Sequence, residues 1–323
     1  MTVRRTWIWG GLFCAGFAWA AEGKGPESVK LVFAPQAGTA CTIRQTDERM
    51  SYVGGNEAPV SSERMERDLT CHLDQDGDGW RMQLKAGEYS LIRNGEEDDN
   101  PLMEAMKAAP LVFRIDASGH VRAVEGYEVI ADQLARSGVS LEGIFSREAF
   151  PRRLMSEWET RLGQFMGQTL PMGATAVQNV PGTTGYSTRV AYEWVSECGR
   201  AGCVRVTQTF SADLGSVVDA MKPALQALVQ DASRGQIDSM SGRDAVMQGT
   251  AERLIDARTG LLMEERIERE TRLVVEAEGK APTPVRMVEI QSRDYDYTYP
   301  PVMPGATAGH GASTVPADSA MAE

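Results

Sequence analysis

The chain has 323 residues, 33 of them Lys or Arg and 45 Asp or Glu, for a formal net charge of −12 with 42% hydrophobic residues. A surface this acidic repels phosphate backbones and anionic headgroups, which excludes nucleic acid as a partner and simple electrostatic docking on a membrane. With only three histidines, His72, His120 and His310, there is little basis for imidazole chemistry.

The chain opens on Arg4-Arg5, a 13-residue apolar run from Trp7 to Trp19, and the small-residue triplet Ala18-Trp19-Ala20 before Ala21. A charged start, a short apolar middle and an A-x-A site describe an export signal, too short to span a bilayer. Residues 1–20 are expected to be a signal peptide cut between Ala20 and Ala21, leaving a periplasmic or secreted product with no transmembrane anchor. The flanks of Arg4-Arg5 lack the Ser and Lys of a twin-arginine signal, so ordinary export is favoured. Phe13 before Cys14 is too bulky for a lipid-anchor site, so Cys14 is read as discarded with the signal. The mature chain of about 300 residues suffices for one large domain.

Short β-like segments come next, at Val29–Phe33, Ala40–Thr46, Arg64–Leu73, Trp80–Leu84 and Tyr89–Arg93, separated by polar or Gly-rich turns. Leu111–Ile115 and Val121–Val124 flank the hairpin turn Asp116-Ala-Ser-Gly119. Tyr127, Ile130, Ala131 and Leu134 then mark a short helix ending at Gly138. A longer helix follows through Phe150, Leu154, Met155, Trp158, Leu162, Phe165 and Met166, with Ser146 as its cap. A third is expected over Leu214–Val229, kinked at Pro223. Ala245–Ile255, Leu261–Ala277 and Val285–Tyr299 read as three long strands, and Asp256-Ala-Arg-Thr-Gly260 echoes the earlier turn. Residues 300–323, rich in Pro, Gly, Ala and Ser, read as a disordered tail.

Four cysteines remain after cleavage, and in an oxidising compartment they read as two disulfides. The four-residue loop Cys198-Gly-Arg-Ala-Gly-Cys203 between two β-like runs places its ends opposite each other on a hairpin, so Cys198 pairs with Cys203. By elimination Cys41 pairs with Cys71.

Few motifs carry chemistry. Asp74, Asp76 and Asp78 begin like a calcium loop, yet the twelfth position is Lys85 and Trp80–Leu84 reads as a strand, so an acidic hairpin turn is the better reading. The sequence has no nucleophile elbow, zinc signature or phosphate-binding loop, and no cofactor is implied. Acid pairs such as Glu264-Glu265, or Glu268 with Glu270, read as solvated charge rather than catalytic dyads. Tyr295, Tyr297 and Tyr299 alternate on one strand face, where they suit either a half-buried sheet or stacking on a ligand.

Asn100-Pro-Leu, the run from Leu111 to Gly126 and Ile255-Asp-Ala-Arg-Thr-Gly-Leu-Leu resemble segments of a group of exported bacterial proteins of uncharacterised function. The element order is similar to the half-barrels of periplasmic lipoprotein carriers, the LolA-like and LppX-like folds, and that resemblance implies a curved sheet holding acyl chains. The expected architecture is α+β: a curved antiparallel sheet covered by amphipathic helices, in one domain over 21–299 readable as two pseudo-repeated halves, 21–145 and 185–299, around a helical middle. The expected function is that of a non-enzymatic periplasmic binding protein for a lipid or other hydrophobic, envelope-derived ligand. Two alternatives stand beside it. One is an envelope protein-protein interaction module using the Tyr295–Tyr299 strand and the tail; the other is a secreted hydrolase with an unrecognised carboxylate site.

Overall fold

A computed structural model describes residues 25–141, 146–179, 186–198, 201–215, 240–277 and 281–301. The signal peptide with Ala20 and Ala21, most of the third expected helix, and the tail beyond residue 301 lie outside the described residues.

The strands are β1 (Ser28–Lys30), β2 (Thr39–Val53), β3 (Ser61–Asp76), β4 (Gly79–Arg93), β5 (Glu96–Glu97), β6 (Leu111–Ile115), β7 (Val121–Glu125), β8 (Thr169–Pro171), β9 (Thr175–Asn179), β10 (Tyr186–Val195), β11 (Cys203–Asp213), β12 (Met240–Asp256), β13 (Leu262–Ala277) and β14 (Thr283–Thr298). Among the described residues three α-helices interrupt them: α1 (Pro101–Ala108), α2 (Tyr127–Arg136) and α3 (Ala149–Arg161). The expectation of a balanced α+β fold is corrected by this inventory. The protein is mostly β, built on one antiparallel sheet of twelve strands. Its order is β7-β6-β4-β3-β2-β14-β13-β12-β11-β10-β9, with the two-residue β5 beside β4. Every neighbour is antiparallel, and the β2–β14 pair, Thr298 opposite Ala40 through Val285 opposite Val53, brings the two ends of the domain together in mid-sheet.

The strands outrun the sequence reading for a physical reason. On β2 the positions facing the helices begin Cys41 and Ile43 but continue Gln45, Asp47 and Arg49. Apolar alternation, the signal that marks a strand, therefore stops while the hydrogen-bonded ladder goes on. Trp80–Leu84 and Tyr89–Arg93 are likewise one strand, carried past a bulge where Ala86 opposes Leu69 and Tyr89 opposes Arg67.

The helices cover one end of the sheet. In α1, Asn100 caps the first turn by accepting from the Leu102 and Met103 amides at 3.1 and 3.3 Å, with Pro101 at the first position. In α2, Tyr127, Ile130, Ala131 and Leu134 are all buried, and Gly138 follows at a φ of 77°. Ser146 accepts from the Ala149 amide at the start of α3, and the Trp158 indole donates to the Gly119 carbonyl at 2.9 Å, tying that helix to the β6–β7 hairpin. The main core packs these helices against Cys41, Ile43, Leu69, Cys71, Leu73, Val204, Val206 and Ile255. A smaller cluster of Val53, Ala245, Leu273, Val275 and Val285 closes the far end of the same face. That face is called the inner face below.

Two disulfides brace the sheet. Cys41 and Cys71 face each other across β2 and β3 with Cα atoms 4.9 Å apart, and Cys198 joins Cys203 across the β10–β11 connection at 5.4 Å. The turns at Asp116 and Asp256 share one mechanism. Asp116 Oδ1 accepts from the Ser118 and His120 amides, and Asp256 Oδ1 accepts from the Arg258 and Thr259 amides. Each ends on a glycine at positive φ, and a Cβ on Gly260 would lie 2.5 Å from the Val32 carbonyl oxygen.

Candidate functional site

The cross-strand register sets one row of charged and amide side chains across the middle of the inner face. Arg67 on β3 opposes Gln45 on β2, Gln45 opposes Arg293 on β14, Arg293 opposes Glu265 on β13, and Glu265 opposes Arg253 on β12. The row ends on apolar Val206 and Tyr192. Strands alternate their side chains, so all five polar residues point the same way, into the space beneath α3. Arg161 reaches in from the last turn of that helix.

Glu265 is the hub. Only 2% exposed, it is held by Arg253 Nε at 3.1 Å and Arg161 Nε at 3.3 Å, and by Arg293 Nη1. Arg253 also donates to the Gln208 side chain on β11. Beside the hub, Asp47 accepts from Gln45 Nε2 at 3.0 and 2.8 Å and lies 3.6 Å from Arg67 Nη2. Burial pushes the Glu265 carboxyl up, but Arg161, Arg293 and Arg253 outweigh it and the net shift is downward. Burial pulls the Arg67 and Arg253 guanidiniums below their ordinary value; at Arg293 it acts the same way, and Glu265 overcomes it. A carboxylate held ionised in this way accepts hydrogen bonds and anchors cations. It does not supply a general acid's proton.

Two registers further along the same face lies a second ionic row, in which Arg93, Glu63, Arg49, Glu289 and Arg269 alternate in sign across β4, β3, β2, β14 and β13. Glu63 is 3.1 Å from Arg93, and Glu289 is 3.4 Å from Arg49 and also paired with Arg269. Between and beyond the rows stand half-buried Met65, Ile267, Phe210, Met247 and Met287. The middle of the inner face is therefore amphipathic, with apolar clusters at both ends. The opposite face carries a hollow of about 580 Å³ across β9–β14, lined by Thr209, Thr250, Arg189, Glu268, Val288 and Ile290 among others.

The sequence-derived candidates fall elsewhere. Asp74, Asp76 and Asp78 lie at the β3–β4 hairpin, where Asp76 opposes Gly79 and Gly77 takes a φ of 63°. Asp76 pairs with Arg114, and Asp74 lies 3.3 Å from His72. His120 pairs with Glu159 at 2.8 Å, linking hairpin to helix. Tyr295, Tyr297 and Tyr299 do share a face, with centroids 6.2 and 6.3 Å apart, but they pack against the main core, and the Tyr297 hydroxyl donates to the Leu262 carbonyl at 2.9 Å. Glu264 and Glu265 point to opposite faces, and only Glu264 is solvated. Arg67, Arg161, Arg253 and Arg293 escaped the sequence reading. The available signal was polar residues at the parity of core positions, such as Gln45 after Ile43 or Arg253 before Ile255.

No family model and no curated protein matches this chain. Among solved structures, one titled for lipid-protein interactions in lipovitellin is similar with a TM-score of 0.43 at 11% identity, covering 83% of this chain. This chain spans about a quarter of that one, 26%. The OpdQ structure of Pseudomonas aeruginosa follows with a TM-score of 0.21 at 6% identity, over 82% of this chain and 100% of that one. At these scores neither structure defines the fold. Among the described residues no helix is long and apolar enough to cross a membrane.

Proposed function

We propose that this is a non-enzymatic binding protein of the periplasm or cell exterior, taking a hydrophobic, envelope-derived ligand on the inner face of its sheet. The observation that carries the reading is the belt between the two apolar clusters, where half-buried Met65, Ile267, Phe210 and Met287 stand among charged side chains. A lining of that kind suits an amphiphile, because apolar groups take the chain while fixed polar groups orient one end. Two disulfides fit an oxidising compartment. The test is native mass spectrometry with lipid extraction on protein taken from a periplasmic extract. A co-purifying amphiphile, lost in Ile267→Glu, is expected; a clean unliganded mass from several growth conditions would overturn the reading.

A second reading, an envelope interaction module, finds a different strand from the one the sequence suggested. β14 is bonded to β2 over Val285–Thr298 and to β13 over Thr283–Asp294, and its last residues, paired with β2 alone, turn Tyr295 and Tyr297 onto the main core, with the Tyr297 hydroxyl donating to the Leu262 carbonyl. Among the described residues β9 is bonded only to β10, and its Val177 is 66% exposed. Such an edge can add a partner's strand. Capture of a partner that survives deletion of residues 302–323 but is lost in Val177→Lys would favour this reading.

A further inference from the structure

The upper ionic row is short of negative charge. Arg67, Arg161, Arg253 and Arg293 face Glu265, Asp47 and Glu157, and Glu157 lies 3.1 Å from Arg161 Nη2 but is shared with exposed Arg153 at 3.0 Å. In a chain of net charge −12, a cation-rich interior is a local exception. The shortage concentrates on Arg67. Its Nη1 meets only the Met103 thioether, at 3.1 Å, its Nη2 is 3.6 Å from Asp47, and its buried Nε has no hydrogen-bond partner. A guanidinium presents five donors in a rigid fork shaped for an oxyanion, and a thioether is a weak acceptor. The positive charges of Arg293 and Arg161 both bear on it. Mutual repulsion in a poorly solvated site is relieved by one more anion.

Access fits the same picture. Arg253 and Glu265 are sealed, with side chains 2% and 1% exposed, while Arg67 and Arg161 keep 18% and 24%. The partly open pair stands on the border between the cation row and the apolar residues of the belt, with Met65 the next inward residue along β3 from Arg67.

We infer that Arg67 and Arg161 form an anion seat for the carboxylate or phosphate head of an amphiphile whose chain lies along Met65 and Ile267. The inference rests on the binding function proposed above and names its ligand class. Glu265, Arg253 and Arg293 then hold the seat in place, and Asp47 with Gln45 fixes one side of Arg67.

The test titrates the purified full chain, disulfides intact, with oleate, with oleyl alcohol and with inorganic phosphate, following heat of binding and melting temperature. Oleate is expected to bind at least tenfold more tightly than the alcohol. Arg67→Gln should erase that preference while binding the alcohol as wild type does, and Arg67→Lys should restore part of it. Phosphate should raise the melting temperature of wild type and not of Arg67→Gln. If Arg67→Gln fails to fold, Arg161→Gln serves in its place. Equal binding of oleate and alcohol, or a preference unchanged in both variants, overturns the anion seat and leaves the hydrophobic-ligand reading standing. Phosphate protection through Arg67 with no binding of either oleyl probe upholds the seat for a free anion and overturns the amphiphile reading. No response to any of the three overturns both.

Discussion

Two ionic rows cross the inner face of one sheet, two registers apart, and they are built on different principles. In the row near the helices, two arginines on strands and one on α3 converge on Glu265, with side chains as little as 1% exposed. In the lower row the signs alternate strand by strand, and Arg49, Arg93 and Glu63 keep 54, 50 and 30% of their side-chain exposure. Water shares the lower row's charges, so each pair there contributes little and the loss of any one is tolerated. Dehydration makes the Glu265 cluster all-or-none, because removing that carboxylate leaves Arg253 and Arg293 buried and unpaired with it. The teaching is that register places the charges, but burial decides whether they are a decoration or a keystone.

The sharpest way to break this contrast is at the two hubs. Glu265→Ala should cost about 3–5 kcal/mol in chemical denaturation at neutral pH, whereas Glu63→Ala should cost about 0–1 kcal/mol; similar losses would show that the rows are equivalent. The cross-links test the comparison between regions next. Replacing Cys41 and Cys71 by Ser opens the longer loop and should cost about 3.5 kcal/mol, against about 2 kcal/mol for Cys198 and Cys203, since a longer closed loop restricts the unfolded chain more. Urea unfolding of the two double variants decides the order.

Acidity separates the ionic hub from the apolar core. The folded-state value of Glu265 is below its ordinary 4.5, so its contribution is complete above about pH 4.5 and is lost as pH falls through the lower folded value. The deficit of Glu265→Ala relative to wild type should therefore shrink on acidification. Ile130→Ala, at a fully buried helix position, should lose about 2–5 kcal/mol with no such dependence on pH. Melting temperatures from pH 7 to 3 read both. A small effect is also expected at the turns. Asp116, lowered to about 2 in the folded state because hydrogen bonds from Ser118, His120 and Arg122 overcome its burial, should cost about 1 kcal/mol on replacement by Ala. That cost should fade between pH 4 and pH 2, the sign expected of a depressed carboxyl.

Much of the fold's local character was legible in the sequence, and its global character was not. The α2 stripe of Tyr127, Ile130, Ala131 and Leu134 repeats at helical spacing, and the Asp-to-Gly turns carry their own hydrogen-bonding side chains, so both could be read from neighbours alone. The helix α1 is equally local in its signals, Asn100 capping the first turn and Pro101 at its first position. Strand length was hidden, since Gln45, Asp47 and Arg49 occupy inward positions where an alternation rule expects apolar residues.

The candidate site was hidden for a stronger reason. Arg67, Arg161, Arg253, Glu265 and Arg293 span more than 200 positions of sequence, and each alone looks like ordinary surface charge. The amino-acid order by itself determined the turns, two helical stripes and the acidic net balance, because these depend on contacts within a few residues. Only the tertiary structure decided that β14 pairs with β2 in mid-sheet rather than standing at an edge, and that Gln45, Arg67, Arg253, Glu265 and Arg293 fall into one register. Antiparallel pairing aligns residues far apart in sequence, and a ladder row exists only once every strand between its ends has found its neighbour.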